Sequence, residues 1–266
     1  MQNQSQEVLP MSSTRPTGEA TSGGIAFSWP VDCAQRQRVY GSCAGCEVRN
    51  TAACSAIPTD ELHALEQVGG KVRLAPGTVL VREGGPRREV HTLVSGMVRK
   101  VRLLPDGRRH VAGFALPGDF IGFSTEARHR NSVEAVTESV LCAFSLASVR
   151  QLRERYPEFD ANLFRQACGE LDVAGSYIVA LARMTPVERL AAFLLYLSGR
   201  QHQLGGREHH VDLPMTRADI GDHLGLTIET VSRSFSRLKQ EGALYFEHPH
   251  HIELRDPPRL RELAGQ

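Results

Sequence analysis

The sequence predicts an α+β fold in three parts: an all-β N-terminal domain, one long helix, and a small helical C-terminal domain. Three observations carry this. Between Lys71 and Ala147, short runs rich in Val, Leu and Phe are separated by Gly- and Pro-bearing turns, the pattern of a sandwich or barrel. From Phe164 to Leu181, apolar residues recur at alternating steps of three and four, a 3.5-residue period. Residues 215–240 hold two short helical patterns joined at Gly225, which is the spacing of a helix-turn-helix.

The elements follow in order. Residues 1–32 are rich in Ser, Thr, Gln and Gly without periodicity and read as a mobile tail. Residues 33–57 form a cysteine segment, and Asp60–Val68 a short helix. The β domain spans 58–150. Its expected strands are Thr78–Val81, Val90–Val94, Met97–Leu104, His110–Ala115, Phe120–Phe123, Val133–Val136 and Val140–Phe144. The intervening turns include Ala75-Pro76-Gly77, Ser95-Gly96, Pro105-Asp106-Gly107 and Pro117-Gly118-Asp119, where glycine supplies positive φ and proline pre-sets the turn.

The connecting helix is expected over 151–185, with Pro157 near its start. Phe164, Ala167, Leu171, Ala174, Ile178 and Leu181 form a narrow stripe in which small and large residues alternate. That is the seam of a two-stranded coiled coil, and it predicts a homodimer. The C-terminal domain, 186–266, begins with Thr185-Pro186-Val187-Glu188, a capping box with proline in the first turn. Thr216 and Asp219 repeat the capping spacing, Gly225 makes the turn, and Thr227 caps a second helix. Leu244–Leu254 reads as a hairpin, a wing.

Composition narrows the function. Lys and Arg number 31 against 30 Asp and Glu, with 41% hydrophobic residues. This describes a soluble globular chain and excludes polybasic nucleic-acid binding, but not a focused sequence reader. No window approaches a membrane span, and the start lacks a secretory h-region, so the cytoplasm is the expected location. No Gly-rich nucleotide loop, Ser/His/Asp constellation or paired-carboxylate motif suggests an enzyme. In the second helix of the helix-turn-helix, Glu229 and Arg233 stand one turn apart near the N-terminus. Arginine can reach guanine O6 and N7, and glutamate can accept from cytosine N4. Arg217, Thr227 and Thr230 are placed to touch phosphates. The expected partner is double-stranded DNA carrying a palindrome.

Four of the six cysteines fall within 22 residues. Cys43-x2-Cys46-x7-Cys54 supplies three thiolates in a loop, and Cys142 on the last strand is the candidate fourth; Cys33 reads as a free thiol, the alternative being that it replaces one of the four. Four thiolates suit zinc or an iron–sulfur cluster. Three close ligands and one remote suit a [4Fe–4S] cluster better than the two local pairs of a structural zinc site. A redox carrier using Cys43-x2-Cys46 would place the pair at the start of a helix in a βαβ unit, and here it precedes an all-β segment. Cys168 reads as a small side chain beside the seam.

Leu226-Thr227-Ile228-Glu229-Thr230-Val231-Ser232-Arg233 resembles the recognition helix of the CRP/FNR superfamily of bacterial transcription regulators. Gly118-Asp119-Phe120-Ile121-Gly122-Phe123 looks like its β-roll signature, and Glu188-Arg189-Leu190-Ala191-Ala192-Phe193 also matches. The resemblance covers roughly residues 43–255. It implies a jelly-roll-like β-roll sensor domain, a dimerisation helix and a winged helix-turn-helix. Glu229, Ser232 and Arg233 resemble the FNR branch, which implies the site TTGAT-N4-ATCAA, with Ser232 on the distinguishing thymine. That branch also implies oxygen sensing by a [4Fe–4S] cluster on Cys43, Cys46, Cys54 and Cys142, activity under low oxygen, and contact with RNA polymerase through the loop around Pro105-Asp106-Gly107-Arg108. Two departures stand out: seven residues rather than five precede the third cysteine, and Ala174 occupies the position of an Asp on the family's dimer helix. Relatives that sense nitric oxide, haem-bound gas or a cyclic nucleotide are the alternatives. The last would need an Arg–Ser pair, where this sequence reads His129-Arg130-Asn131-Ser132.

Overall fold

The computed structural model describes residues 36–39 and 42–265; the tail expected over 1–32, and Cys33, lie outside the described residues. A turn-rich segment from Ser42 leads through a 3-10 turn (Ala53–Ala56) to helix α1 (His63–Val68). One antiparallel sheet runs in the order β1 (Arg36–Val39), β2 (Gly69–Leu74), β9 (Ser139–Ser145), β4 (Glu89–Ser95), β7 (Phe120–Ile121). The other runs β3 (Val79–Val81), β8 (Ser132–Ala135), β5 (Val98–Leu103), β6 (Arg109–Ala115). Leu74, Leu93, Ile121 and Leu141 from the first sheet meet Leu80, Val98, Ala115 and Val133 from the second in one buried core. This is the β-roll.

The two-residue period of a strand decides where the last cysteine goes. Leu141 is fully buried between the sheets, so Cys142 faces the opposite side, in register with Lys71 and Thr92. On that outer face Val94, Val140 and Cys142 pack against Val48, Ala52, Cys46 and Cys54.

The connecting helix expected over 151–185 is two helices, α2 (Leu146–Arg155) and α3 (Pro157–Arg183). The Ser145 hydroxyl caps α2 by accepting from the Ser148 N–H at 3.0 Å. The break at Tyr156 (φ −126°, ψ 90°) follows from Pro157, which keeps its predecessor out of helical geometry. Early in α3, Phe159 and Leu163 are buried against the cysteine segment and α2. Further along, Phe164, Leu171 and Ile178 are 71%, 72% and 68% exposed, so the stripe is not packed on its own domain.

The C-terminal domain holds α4 (Pro186–Gln203), β10 (His210–Asp212), α5 (Arg217–Leu224), α6 (Ile228–Gln240), β11 (Leu244–His248), β12 (His251–Leu254) and α7 (Pro257–Leu263). Both expected capping boxes form, Thr185 with Glu188 and Thr216 with Asp219. Gly225 ends α5 at φ +66°, a left-handed turn that suits glycine. Leu190, Leu194, Ile220, Val231, Leu238 and Ile252 form the core. Met97 and Leu116 of the β-roll join it, so the C-terminal domain rests on the β-roll.

Candidate nucleic-acid interface and thiol cavity

Helix α6 buries Val231, Phe235 and Leu238 and turns Glu229, Ser232 and Arg233 to solvent. The separation is a consequence of the 3.6-residue period. The Thr227 hydroxyl caps the helix by accepting from the Thr230 N–H at 3.2 Å, and the two threonine hydroxyls lie 3.1 Å apart. The Glu229 carboxyl is held below its ordinary range by its own backbone N–H, by the Thr227 hydroxyl and by Arg233. It is therefore an ionised acceptor, which is what a cytosine amino group needs. The Ser232 hydroxyl donates to the Ile228 carbonyl at 2.9 Å. Its proton is committed inside the helix, so outward it offers lone pairs and a Cβ.

Arg217 sits differently from Thr227 and Thr230. Its guanidinium lies 3.5 Å from the Phe235 ring centroid and 5.9 Å from that of Phe246. Helix α5, helix α6 and the wing are thus pinned by one stacked cation. The wing itself carries Arg255 over Tyr245 at 3.9 Å. The histidines around it are engaged locally: His250 Nδ1 lies 2.7 Å from the Leu213 carbonyl, and His251 bonds Asp212.

The second feature is a small enclosed cavity of about 30 Å³. All four candidate ligands line it: Cys43, Cys46, Cys54 and Cys142. The five cysteines among the described residues are free thiols, and Cys168 is exposed on α3. Local hydrogen bonds hold the loop that brings three of the four. The Glu66 carboxylate accepts from the Cys43 N–H at 2.7 Å and the Ser42 hydroxyl at 3.2 Å. The Arg49 guanidinium donates to the carbonyls of Cys54 and Ile57. Burial pushes the Cys54 thiol up to about 11 and the Cys142 thiol up to about 12, with Cys46 next among the causes in both. As they stand these groups are protonated, and loading a cation releases protons. Among the described residues no three of His, Cys, Asp or Glu close on a point as they would around a single ion. The thiols ring a space instead.

Sequence reasoning missed the residues that connect this cavity to the rest. The Asn162 side chain on α3 donates to the Ala53 carbonyl and the Ser55 hydroxyl, each at 3.1 Å, on either side of Cys54. Thr51 packs against Gly118, where a Cβ would come within 2.8 Å of the Thr51 hydroxyl. The neighbouring Asp119 pairs with Arg200 of α4 at 2.6 Å. Only Gly118-Asp119 carried any sequence signal, as part of the β-roll signature. Arg130, weighed for a cyclic phosphate, pairs with Glu126 at 2.8 Å on the exposed surface.

Comparison with known proteins agrees with this architecture. Residues 71–156 match the cyclic nucleotide-binding domain model, and residues 188–263 the Crp-like helix-turn-helix domain model. The chain is 39% identical over 223 residues to the nitrogen fixation regulation protein FixK of Bradyrhizobium diazoefficiens, covering 84% of this chain and 94% of that one. It is 32% identical over 227 residues to the transcriptional activator protein FnrL of Cereibacter sphaeroides, covering 84% and 92%. The solved structure of FixK2 from Bradyrhizobium japonicum superimposes with a TM-score of 0.68 at 35% identity, over 74% of this chain and 97% of that one. The chain belongs to the CRP/FNR family of DNA-binding transcription regulators.

Proposed function

We propose that this regulator is an oxygen-responsive activator that holds a [4Fe–4S] cluster on Cys43, Cys46, Cys54 and Cys142. As a homodimer it binds TTGAT-N4-ATCAA palindromes under low oxygen and recruits RNA polymerase in the cytoplasm. The observation that carries the reading is the convergence of four thiols, from segments 88 positions apart at their nearest (Cys54 and Cys142), on one cavity. Their chemistry fits an iron–sulfur group. The cavity of about 30 Å³ has room for little more than a water molecule, so loading requires the 42–55 loop to open.

When bound, the cluster supplies oxygen-sensitive redox chemistry. The chain's residues supply everything else. Asn162 ties the Cys54 turn to α3, so a change in that turn reaches the exposed stripe of Leu171 and Ile178. Glu229, Ser232 and Arg233 read the base edges. The relative FnrL is named a transcriptional activator, which supports activation as the output.

Anaerobic purification with iron, sulfide and zinc analysis tests the cofactor. About four irons and four sulfides per chain are expected, with visible absorbance that air bleaches. Cys142→Ala should fold and lose both. One zinc, or no metal, would refute the sensor reading and leave a CRP/FNR regulator whose cysteine loop is structural.

A further inference from the structure

The first helix of the helix-turn-helix does not stand free. It is docked on the sensor sheet through a charged network that joins residues more than 100 positions apart. Arg99 of β5 donates to both carboxylate oxygens of Asp219 on α5, at 2.8 and 3.0 Å. Arg109 of β6 donates to Asp219 at 2.7 Å and to Asp222 at 2.7 Å. His110 Nδ1 lies 3.0 Å from the Asp222 carbonyl, and His223 Nδ1 lies 2.8 Å from the Val111 carbonyl. Arg99 also pairs with Glu134 at 2.8 Å.

The position of Asp219 gives the network a meaning. It sits in the first turn of α5, and its Oδ2, which also accepts from Arg99, accepts from the Thr216 N–H and hydroxyl at 3.1 and 2.8 Å. A helix N-terminus favours a DNA phosphate. A bare carboxylate pair in the same helix repels one. The two arginines remove that repulsion and come from the sensor domain, not from the domain that touches DNA. In this docked arrangement Glu229, Ser232 and Arg233 are exposed, so docking leaves that face of α6 open.

We infer that Arg99 and Arg109 are positioning residues for DNA binding: the sensor sheet clasps the helix-turn-helix and neutralises Asp219 and Asp222, so that the clasped state is the one that binds DNA. The inference rests on the family's DNA binding and not on the cluster or the palindrome.

The test compares Arg109→Gln with Arg109→Gln/Asp222→Asn in the full chain, on the palindrome and on a random-sequence duplex at low salt. Arg99 keeps Asp219 paired in both variants; melting and sedimentation check fold and dimer. Arg109→Gln should weaken binding to both duplexes about three- to tenfold, and the added Asp222→Asn should restore most of the loss. Unchanged or tighter binding by Arg109→Gln would overturn the inference. So would a loss that Asp222→Asn leaves unrepaired, which would mean that Arg109 touches phosphate itself. Failure of the palindrome alone would leave the random-duplex comparison intact and would refute only the site assignment.

Discussion

His223 makes the stability of the docked domains depend on pH, and the size of the effect can be worked out. The residue is 4% exposed. Its ring packs against Phe114 and Phe193, each at 5.3 Å, and Tyr177 at 4.3 Å. Burial lowers its pKa from 6.5 to about 4, against the opposing hydrogen bond to Val111 and with a smaller contribution from His110. The folded ring is therefore neutral at neutral pH. A chain in which it is solvated, whether unfolded or merely undocked, takes up a proton near pH 6.5. Because the folded value is the lower one, stability is complete above about pH 6.5 and is lost as pH falls toward 4. Between about pH 7 and pH 5 the loss is about 2 kcal/mol, with nearly one proton taken up on unfolding at the lower pH. Urea denaturation at several pH values, of the wild type and of His223→Asn, isolates this group from other titrations. Asparagine keeps an N–H for the Val111 carbonyl and does not titrate. The variant should lack about 2 kcal/mol of the wild-type change. Parallel curves for the two proteins would refute the argument that His223 is held neutral by burial.

Three further expectations can be checked directly. Leu171→Glu, at a position 72% exposed in the single chain, should leave the fold intact and raise the dimer dissociation constant by about 100-fold or more in sedimentation, since two apolar contacts are lost per dimer and two carboxylates face each other. Gly96→Ala should cost about 3 kcal/mol in denaturant melts, because φ is +84° and the added Cβ would lie 2.2 Å from the Glu138 carbonyl; Gly107→Ala, at the same φ with open space, should cost only about 1 kcal/mol. Arg217→Met keeps apolar packing on Phe235 but loses the stacked cation, so melting should show a cost of about 1 kcal/mol, and DNA affinity should fall about tenfold with a salt slope reduced by about one; an unchanged salt slope would refute a phosphate contact.

The parts of this molecule that were legible in the sequence are those whose cause is local. The capping boxes at Thr185 and Thr216, the left-handed Gly225 and the exposed stripe on α3 each depend on residues within a turn or two. The strands with alternating apolar residues were legible for the same reason. Strand β2 was not: Gly69-Gly70-Lys71 has poor strand propensity, and it forms because β9 offers a register for it. The early start of α2 was hidden because Ser145 gives a cap with no acidic or glutamine partner three residues on.

The candidate site divides along the same line. The exposed polar face of α6 follows from helical period, so Glu229 and Arg233 could be named together from spacing. Cys142 could be singled out only by elimination and resemblance, because nothing in its neighbourhood says that the 43–54 loop covers that strand face. Asp219 has both kinds of cause in one side chain. Its capping role is fixed by a residue three positions away and was legible. A carboxylate has about four acceptor sites, however, and the cap uses one oxygen. The sites left over recruit Arg99 and Arg109 across a separation of 110 to 120 residues, which no local pattern encodes. A polar side chain whose local role leaves acceptors unused, and which is then 1% exposed, must find distant donors, since an ionised group cannot stay buried without them. That requirement makes the helix cap also the point where the β-roll takes hold of the DNA-binding domain.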